Sequence, residues 1–232
     1  VINADDAFAP YFAQRAHGRR LLRFGIEATA DVLARDVRLD DAGARFRLVT
    51  PAGEADVTLP LPGRHNVRNA LAATAIALAA DVPLDVIVAG LETAEAVAGR
   101  LVRHTLGNGA VLIDDSYNAN PGSLNAAIDT LAAAGGERWL VLGDMRELGS
   151  DGPAMHAQAG VRARAAGITR LYALGALSAA AVDTFGEGAR RFDSHAALIE
   201  ALNADLHAGA RVLVKGSRGS AMDRVVAALR NI

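Results

Sequence analysis

The stretch VLIDDSYNANPGSLNAAIDTLAAA, residues 111–134, guides the interpretation of the whole chain. Its first three residues are aliphatic, which is typical of a strand buried on both faces of a parallel sheet. Polar residues follow at 114–120, and an alanine-rich run with apolar residues at helical spacing begins after Pro121. A strand that ends in hydrogen-bonding side chains before a helix is where open α/β sheets bind ligands. Such turns also collect Asp, Asn and Ser for local reasons, so the loop alone leaves both interpretations open.

From residue 110 onward, apolar strands alternate with helical runs. The predicted strands are at 110–114, 138–143, 170–174, 189–192 and 211–215, and the predicted helices are at 122–134, 153–166, 177–185, 195–207 and 219–230. This alternation predicts an α/β fold with a doubly wound, mostly parallel sheet. No Gly-x-Gly-x-x-Gly follows a predicted strand, which argues against an ordinary NAD site.

The first part of the chain has a different pattern. Short alternating runs at 31–61 are typical of hairpin strands. A run at 63–81 that is apolar nearly all round predicts a buried helix, with Asn66 as its cap. We therefore place a domain boundary between residues 99 and 100.

The composition narrows the class of protein. The chain has 232 residues, of which 51% are hydrophobic and 22% are charged, and its formal net charge is -2. These values are typical of a globular protein and argue against a general nucleic-acid binder, which needs clustered basic surface. The chain has no cysteine, and no apolar run reaches about 18 residues, so we expect neither disulfides nor membrane insertion. The first residues do not resemble a signal peptide, which indicates the cytoplasm.

Polar clusters follow three of the predicted strands, at 115–120, 144–147 and 215–218. Because the carboxyl ends of parallel strands meet at one edge of a sheet, we expect these clusters to line one crevice. Each cluster could by itself be a turn or a surface charge, and this simpler interpretation is favoured for Arg146 and Glu147. Lys215 is the only lysine in the chain, which suggests that an arginine would not serve at that strand end.

Six sequence motifs are spread along the chain. They are NADD at 3–6, GRHNVRNALAA at 63–73, GRL at 99–101, DDSYNANPGS at 114–123, GDMRELG at 143–149 and KGSRGSAMDRVV at 215–226. In their residues and their order, these motifs resemble those of the Mur ligase family. Its YNAN sequence is similar to that of the member that adds a dipeptide, rather than those that add L-alanine, D-glutamate or a diamino acid. The resemblance implies the later part of a central ATP-binding domain at 1–99 and a Rossmann-like carboxy-terminal domain at 100–232.

The reaction that the resemblance implies is the ATP-dependent ligation of D-alanyl-D-alanine to UDP-N-acetylmuramoyl-tripeptide through an acyl phosphate. This step belongs to peptidoglycan precursor synthesis, and it implies ATP and Mg²⁺ as cofactors and a monomeric enzyme. The family's phosphate-binding loop and carbamylated lysine have no counterpart in this sequence, and Val1 and Ile2 look like the middle of a strand. We therefore expect a fragment without metal ligands or identifiable catalytic residues, which is inactive by itself.

Site residues are assigned by the same resemblance. ATP would be bound by His65, Asn66, Asn69, Arg100 and Asp115. The peptide substrates would be bound by Tyr117, Asn118, Asn120, Lys215, Ser217 and Arg218, of which the last three would attract the dipeptide carboxylate. Two alternatives remain: another ligase of the superfamily, of the folylpolyglutamate or cyanophycin type, and a non-catalytic module that binds a nucleotide or a partner.

Overall fold

Two sheets organise the chain, one in each half. The computed structural model describes residues 1–40, 42–95 and 97–231. The chain divides into unit 1, residues 1–95, and unit 2, residues 96–232. Within the described residues the sheet of unit 1 has five strands and that of unit 2 has six. The mixed α/β class predicted from the sequence is therefore confirmed.

Unit 1 combines a short parallel sheet with two hairpins. Its strands are β1 Ile2–Asn3, β2 Arg23–Gly25, β3 Val32–Leu39, β4 Ala44–Thr50 and β5 Gly53–Leu59, in that spatial order. Its helices are α1 Ala9–Arg15, α2 Arg64–Ala79 and α3 Leu84–Glu92. The β3–β4 and β4–β5 pairs are antiparallel, which confirms the predicted hairpins. The turn between β3 and β4 includes Asp41, which lies outside the described residues.

Helix α2 corrects two predictions made from the sequence. It buries only one face, with Val67 and Leu71 in the core of unit 1, whereas Ile76 is 60% exposed. Asn66 does not cap the helix, because Gly63, with a φ of 95°, occupies the cap position. Asn66 lies within the first turn, where its side-chain Nδ2 donates a hydrogen bond to the carbonyl oxygen of Pro62 at 2.8 Å.

Unit 2 contains the predicted doubly wound sheet. Its strands are β6 Val102–Thr105, β7 Val111–Asp115, β8 Glu137–Gly143, β9 Arg170–Leu174, β10 Ala189–Phe192 and β11 Ala210–Lys215. Its helices are α4 Pro121–Ala132, α5 Gly152–Ala165, α6 Ala179–Phe185, α7 His195–Asp205 and α8 Asp223–Leu229. The spatial order is β10-β9-β8-β11-β7-β6, and every pair except β6–β7 is parallel. No helix in the described parts of the chain combines the length and apolar character needed to cross a membrane.

The apolar strands of unit 2 are continuous because both faces of the sheet are covered. In β8, Trp139 and Val141 lie in one hydrophobic cluster, and Leu140 and Leu142 lie in the other. All four side chains are fully buried. When helices cover both faces of a sheet, polar and apolar residues need not alternate along its strands. The sequence therefore shows uninterrupted apolar runs.

The start of the last helix differs from the prediction at 219–230. Residues Arg218–Ser220 form a 3₁₀ turn, Ala221 has a left-handed φ of 48°, and α8 begins only at Asp223. The cause lies at the end of β8, where the carbonyl oxygen of Asp144 accepts hydrogen bonds from the Ser217 N–H and the Ser220 hydroxyl. These bonds pull the chain across the strand end before the helix begins. The antiparallel edge strand β6 was not predicted either.

Candidate functional site

The three polar segments predicted to converge do follow neighbouring strands. β11 lies between β8 and β7, and the register places Lys215 opposite Asp115 on one side and Leu142 on the other. All three strands are parallel, so the segments that follow them leave the sheet at one edge. We call this place the carboxyl edge of unit 2.

Lys215 and Asp115 form a buried ion pair at this edge. The Lys215 side chain is 3% exposed, and its Nζ lies 2.5 Å from Asp115 Oδ2 and 3.0 Å from the carbonyl oxygen of Asn118. Burial raises the pKa of the Asp115 carboxyl above its usual value, although Lys215 and the Leu101 N–H act in the opposite direction. The charge of the only lysine is therefore balanced within the chain, and two of its three N–H groups hold the loop after β7.

Ser217 joins all three polar segments. Its hydroxyl donates to the carbonyl oxygen of Ala119 at 3.2 Å and accepts from the Arg146 N–H at 2.8 Å. Its own backbone N–H donates to the carbonyl oxygen of Asp144 at 3.0 Å. The residue is 5% exposed and these contacts link the three segments, while its role toward a substrate stays a prediction.

The two asparagines of the YNAN sequence have local roles. The Oδ1 of Asn120 accepts from the Ser123 N–H at 2.8 Å, and the Asn120 N–H donates to the Ser123 hydroxyl at 3.1 Å. This capping box starts α4. The Oδ1 of Asn118 accepts from the Ala119 N–H at 2.9 Å. Both asparagines are exposed, and neither side-chain NH₂ group has a hydrogen-bond partner among the described residues.

The GRL motif packs directly against this loop. The carbonyl oxygen of Gly99 accepts from the Tyr117 N–H at 3.0 Å. Gly99 has a φ of 76°, and a Cβ there would lie 2.9 Å from the Tyr117 nitrogen, so only glycine fits. The Cζ atoms of Arg100 and Arg218 lie 4.6 Å and 5.9 Å from the centroid of the Tyr117 ring. Three residues that the sequence assigned to two different ligands therefore form one cluster.

His156 was missed by the sequence analysis. It is fully buried, and its Nε2 accepts from the Met145 N–H at 2.9 Å while its Nδ1 lies 2.7 Å from the carbonyl oxygen of Gly152. A carbonyl only accepts and an amide only donates, so the proton is on Nδ1 and the ring is neutral. His156 thus supports the loop after β8. A histidine within an alanine-rich helix carries no sequence signal for this role.

The predicted ATP residues of unit 1 lie in the first two turns of α2. Asn69 donates from Nδ2 to Asn66 Oδ1 at 3.3 Å, so the two amides form a chain that begins at the Pro62 carbonyl. His65 lies beside Gly63, where a Cβ would approach its ring to 2.6 Å. Each residue is thus held close to the start of the helix, and its role toward ATP stays a prediction.

The NADD motif contains a carboxylate that organises the neighbouring loop. Asp5 accepts hydrogen bonds from the backbone N–H groups of Ile26, Glu27 and Ala28 at 2.9, 3.0 and 2.8 Å. Burial by itself would raise the pKa of Asp5, but these three donors hold it below its usual value. The loop after β2 is therefore tied to the segment after β1.

Two family models match the chain. The Mur ligase middle domain matches residues 1–77, and the Mur ligase glutamate ligase domain matches residues 99–218. The chain belongs to the Mur ligase family. Among its curated relatives is the UDP-N-acetylmuramoyl-tripeptide--D-alanyl-D-alanine ligase of Escherichia coli K12, which is 42% identical over 99% of this chain and 51% of its own length.

Solved Mur ligases have the same fold. MurF from Acinetobacter baumannii superposes with a TM-score of 0.88 at 33% identity, over 100% of this chain and 51% of that one. MurF from Thermotoga maritima in complex with ADP superposes with a TM-score of 0.82 at 21% identity, over 99% of this chain and 52% of that one. The chain thus spans about half the length of the relatives that it matches.

The Mur ligase residues of this chain do not account for a metal ion. Among the described residues, no group of three or more His, Cys, Asp or Glu side chains could hold a cation. At the carboxyl edge, the Asp115 carboxylate faces Lys215, and Asp144 Oδ1 accepts from the Ser178 N–H at 2.8 Å. Both carboxylates are thus bonded within the chain.

Proposed function

We propose that this Mur ligase chain serves the ATP-dependent ligation of D-alanyl-D-alanine to UDP-N-acetylmuramoyl-tripeptide in peptidoglycan precursor synthesis. One observation carries the proposal: the chain matches the Escherichia coli ligase of that name over 99% of its length at 42% identity. The convergence of three motifs at the carboxyl edge supports it, because residues 115–120, 144–147 and 215–218 come from distant parts of the chain and share hydrogen bonds.

The proposed reaction has two steps. A carboxylate oxygen of the tripeptide attacks the γ-phosphorus of ATP, so that an acyl phosphate forms and ADP leaves. The amine of the dipeptide then attacks the carbonyl carbon, an amide bond forms, phosphate leaves and the amine loses a proton. Because little covalent help is needed, the contribution of these residues is to orient the substrates and balance their charge. No step is assigned to Mg²⁺, since the described residues contain no ligand set for it.

The dipeptide would be bound by exposed groups of the carboxyl edge. Arg218 is exposed and has no ion-pair partner among the described residues, so its guanidinium group is available for the dipeptide carboxylate. The side-chain NH₂ groups of Asn118 and Asn120, on the loop after β7, would be neutral donors for the same ligand. Lys215 and Ser217 would act indirectly by holding that loop, since both are buried and bonded within the chain.

Contacts with ATP are proposed for residues of unit 2 and, independently, for residues of unit 1. In unit 2, Arg100 is exposed and has no carboxylate partner among the described residues, as a phosphate contact requires. Asp115 would contribute mainly through its position beside the Leu101 N–H and Lys215. In unit 1, the amides of Asn66 and Asn69 and the ring of His65 would provide contacts with adenine and ribose. The ATP and the UDP-linked substrate of the proposed reaction are found in the cytoplasm, so we expect the protein to act there. We expect it to act as a monomer.

The experiment compares different amines as acceptors. It uses a polypeptide that has the full length of the relatives and includes residues 1–232. Phosphate release and product mass are measured with UDP-N-acetylmuramoyl-tripeptide, ATP and magnesium, and with D-alanyl-D-alanine, D-glutamate or a diamino acid as the amine. The expected product is the pentapeptide, formed only with the dipeptide. Product with another amine would indicate a different ligase of the superfamily. Nucleotide binding without any product would indicate a non-catalytic module.

A further inference from the structure

We propose that the ring of Tyr117 positions both Arg100 and Arg218, so that the nucleotide and the dipeptide depend on one shared aromatic support. The identity of the two ligands rests on the proposed function. The juxtaposition itself does not, because it lies entirely within unit 2: the Arg100 and Arg218 Cζ atoms are 4.6 Å and 5.9 Å from the Tyr117 ring centroid. Both distances are within the range in which a guanidinium group is attracted to an aromatic face.

The ring of Tyr117 carries this role, and the hydroxyl does not. Tyr117 is 42% exposed, and its hydroxyl has no hydrogen-bond partner among the described residues. A tyrosine hydroxyl with a structural role is normally bonded. The contacts of this side chain are instead those of its ring with two cations.

The backbone on either side of Tyr117 fixes the position of the ring. The Tyr117 N–H donates to the carbonyl oxygen of Gly99, and the next residue, Asn118, accepts a hydrogen bond at its carbonyl oxygen from Lys215 at 3.0 Å. Lys215 is in turn held by Asp115. Tyr117 is therefore connected to the buried ion pair through the next residue, Asn118. This connection limits the motion of the Tyr117 ring although the ring is exposed.

Both arginines follow residues that are themselves bonded to the loop. Arg100 follows Gly99, which accepts from the Tyr117 N–H, and Arg218 follows Ser217, whose hydroxyl donates to the carbonyl oxygen of Ala119. The two side chains thus start from anchored points in two different motifs and end at one ring. This arrangement limits the freedom of two long side chains before any ligand binds, which lowers the entropic cost of binding.

The charges of the two arginines are not balanced within the described residues. At the opposite edge of the same sheet, Arg170 and Arg190 lie 3.4 Å and 3.1 Å from Asp205. Among those residues, Arg100 and Arg218 have no such carboxylate, and each lies against the Tyr117 ring. A cation held against an aromatic face keeps its charge and its outward N–H groups for an anion. Under the proposed function, this anion is a phosphate at Arg100 and a carboxylate at Arg218.

The kinetic test compares Tyr117→Phe with Tyr117→Leu in the full-length ligase. Phenylalanine retains the ring, so both Michaelis constants should stay within about twofold of the wild type. Leucine removes it, and an interaction of cation–π strength corresponds to a rise of about two- to fivefold in each constant. Arg218→Ala should raise only the dipeptide constant and Arg100→Ala only the ATP constant. In the Arg218→Ala background, Tyr117→Leu should no longer change the dipeptide constant.

A matched control and a ligand-free measurement complete the test. Arg224→Ala removes an exposed arginine of α8 that contacts no aromatic ring in the described part of the chain, and both constants should stay unchanged. In the 232-residue chain, the Nε–H resonances of Arg100 and Arg218 should keep their ring-current shifts in Tyr117→Phe and lose them in Tyr117→Leu. Unchanged resonances in Tyr117→Leu would overturn the inference even if the enzyme proved to be a different ligase.

Three kinetic results would also overturn it. If Tyr117→Phe raised the constants as much as Tyr117→Leu, the hydroxyl would be the functional group. If Tyr117→Leu changed only one constant, or neither, the shared support would be wrong. An inactive wild-type enzyme, by contrast, would count against the proposed function and leave the resonance measurement to decide the role of Tyr117.

Discussion

Replacing Lys215 by methionine should destabilise unit 2 strongly, because it leaves the Asp115 carboxylate buried without its cation. Lys215 is 2% exposed and Asp115 is 9% exposed, and their charged groups are 2.5 Å apart. Removing one partner of a buried pair typically costs about 3–5 kcal/mol, whereas removing both charges is often nearly neutral. The variant should therefore lose about 3–5 kcal/mol of unfolding free energy, and Lys215→Met/Asp115→Asn should recover most of it.

The loss should also depend on pH. Burial raises the folded-state pKa of Asp115 above its unfolded value, so its contribution to stability is complete below the unfolded pKa and declines as pH rises through the folded pKa. Lys215 opposes this shift, so its removal raises the folded pKa further. The stability deficit of Lys215→Met relative to wild type should therefore be larger at neutral pH than in mild acid.

The chain contains a natural probe for this measurement. Its only tryptophan, Trp139, is fully buried in unit 2, so urea unfolding followed by tryptophan fluorescence reports on that unit. Arg211→Met is the matched control, because Arg211 lies at the other end of β11 and, among the described residues, bonds only to the carbonyl oxygens of Ala208 and Ala210. A Lys215→Met deficit no larger than that of the control would refute the reasoning. So would a double variant as unstable as Lys215→Met alone, or a deficit independent of pH.

The remaining predictions use the same fluorescence assay. Asn120→Ala removes the α4 cap and should cost about 1 kcal/mol, whereas Asn125→Ala, at an exposed position within the helix, should cost much less; equal losses would contradict the capping role. Gly160→Ala should cost about 1–3 kcal/mol, because a Cβ there would lie 2.2 Å from the Ala181 carbonyl oxygen of α6, whereas Gly122→Ala meets nothing closer than 3.5 Å and should be tolerated. Burial and a hydrogen bond to Asp205 raise the pKa of Tyr172 to about 12, so wild-type stability should fall as pH rises from about 10 towards that value, and Tyr172→Phe should lack this decline.

Much of the architecture is local in origin and could therefore be predicted from the sequence. In the aliphatic run at 111–113, Leu112 and Ile113 are buried on opposite faces of the sheet, and the polar residues at 115–120 lie at its carboxyl edge. Parallel strands necessarily end at one edge, so the meeting of three polar segments followed from their positions after strands. The motifs also indicated the family, because six strings in a fixed order do not depend on the details of packing.

Only the tertiary structure decided what the polar side chains do. The sequence alone suggested that Lys215 offers its charge to a carboxylate and that Asp115 contacts a nucleotide, yet the two residues bind each other across 100 positions of the chain. Ser217 likewise links two loops, because its hydroxyl bonds to Arg146 and Ala119 from distant parts of the chain. A side chain's charge and exposed fraction depend on which distant residues fold against it, and local patterns contain no information about that partner.

The start of α8 and the role of His156 show the same division. The sequence predicts a helix from 219 because its residues favour one. In the structure, the Asp144 carbonyl oxygen accepts hydrogen bonds from Ser217 and Ser220, and the helix therefore begins only at Asp223. In the sequence, His156 is one residue of an alanine-rich helix. Only in the folded chain does the loop after β8 place the Met145 N–H against its ring. The sequence by itself thus determined the alternation of strands and helices after residue 110 and the edge at which the three polar segments meet. The tertiary structure decided which side chains at that edge are bonded internally and which remain available, because hydrogen bonds between distant segments form only after folding.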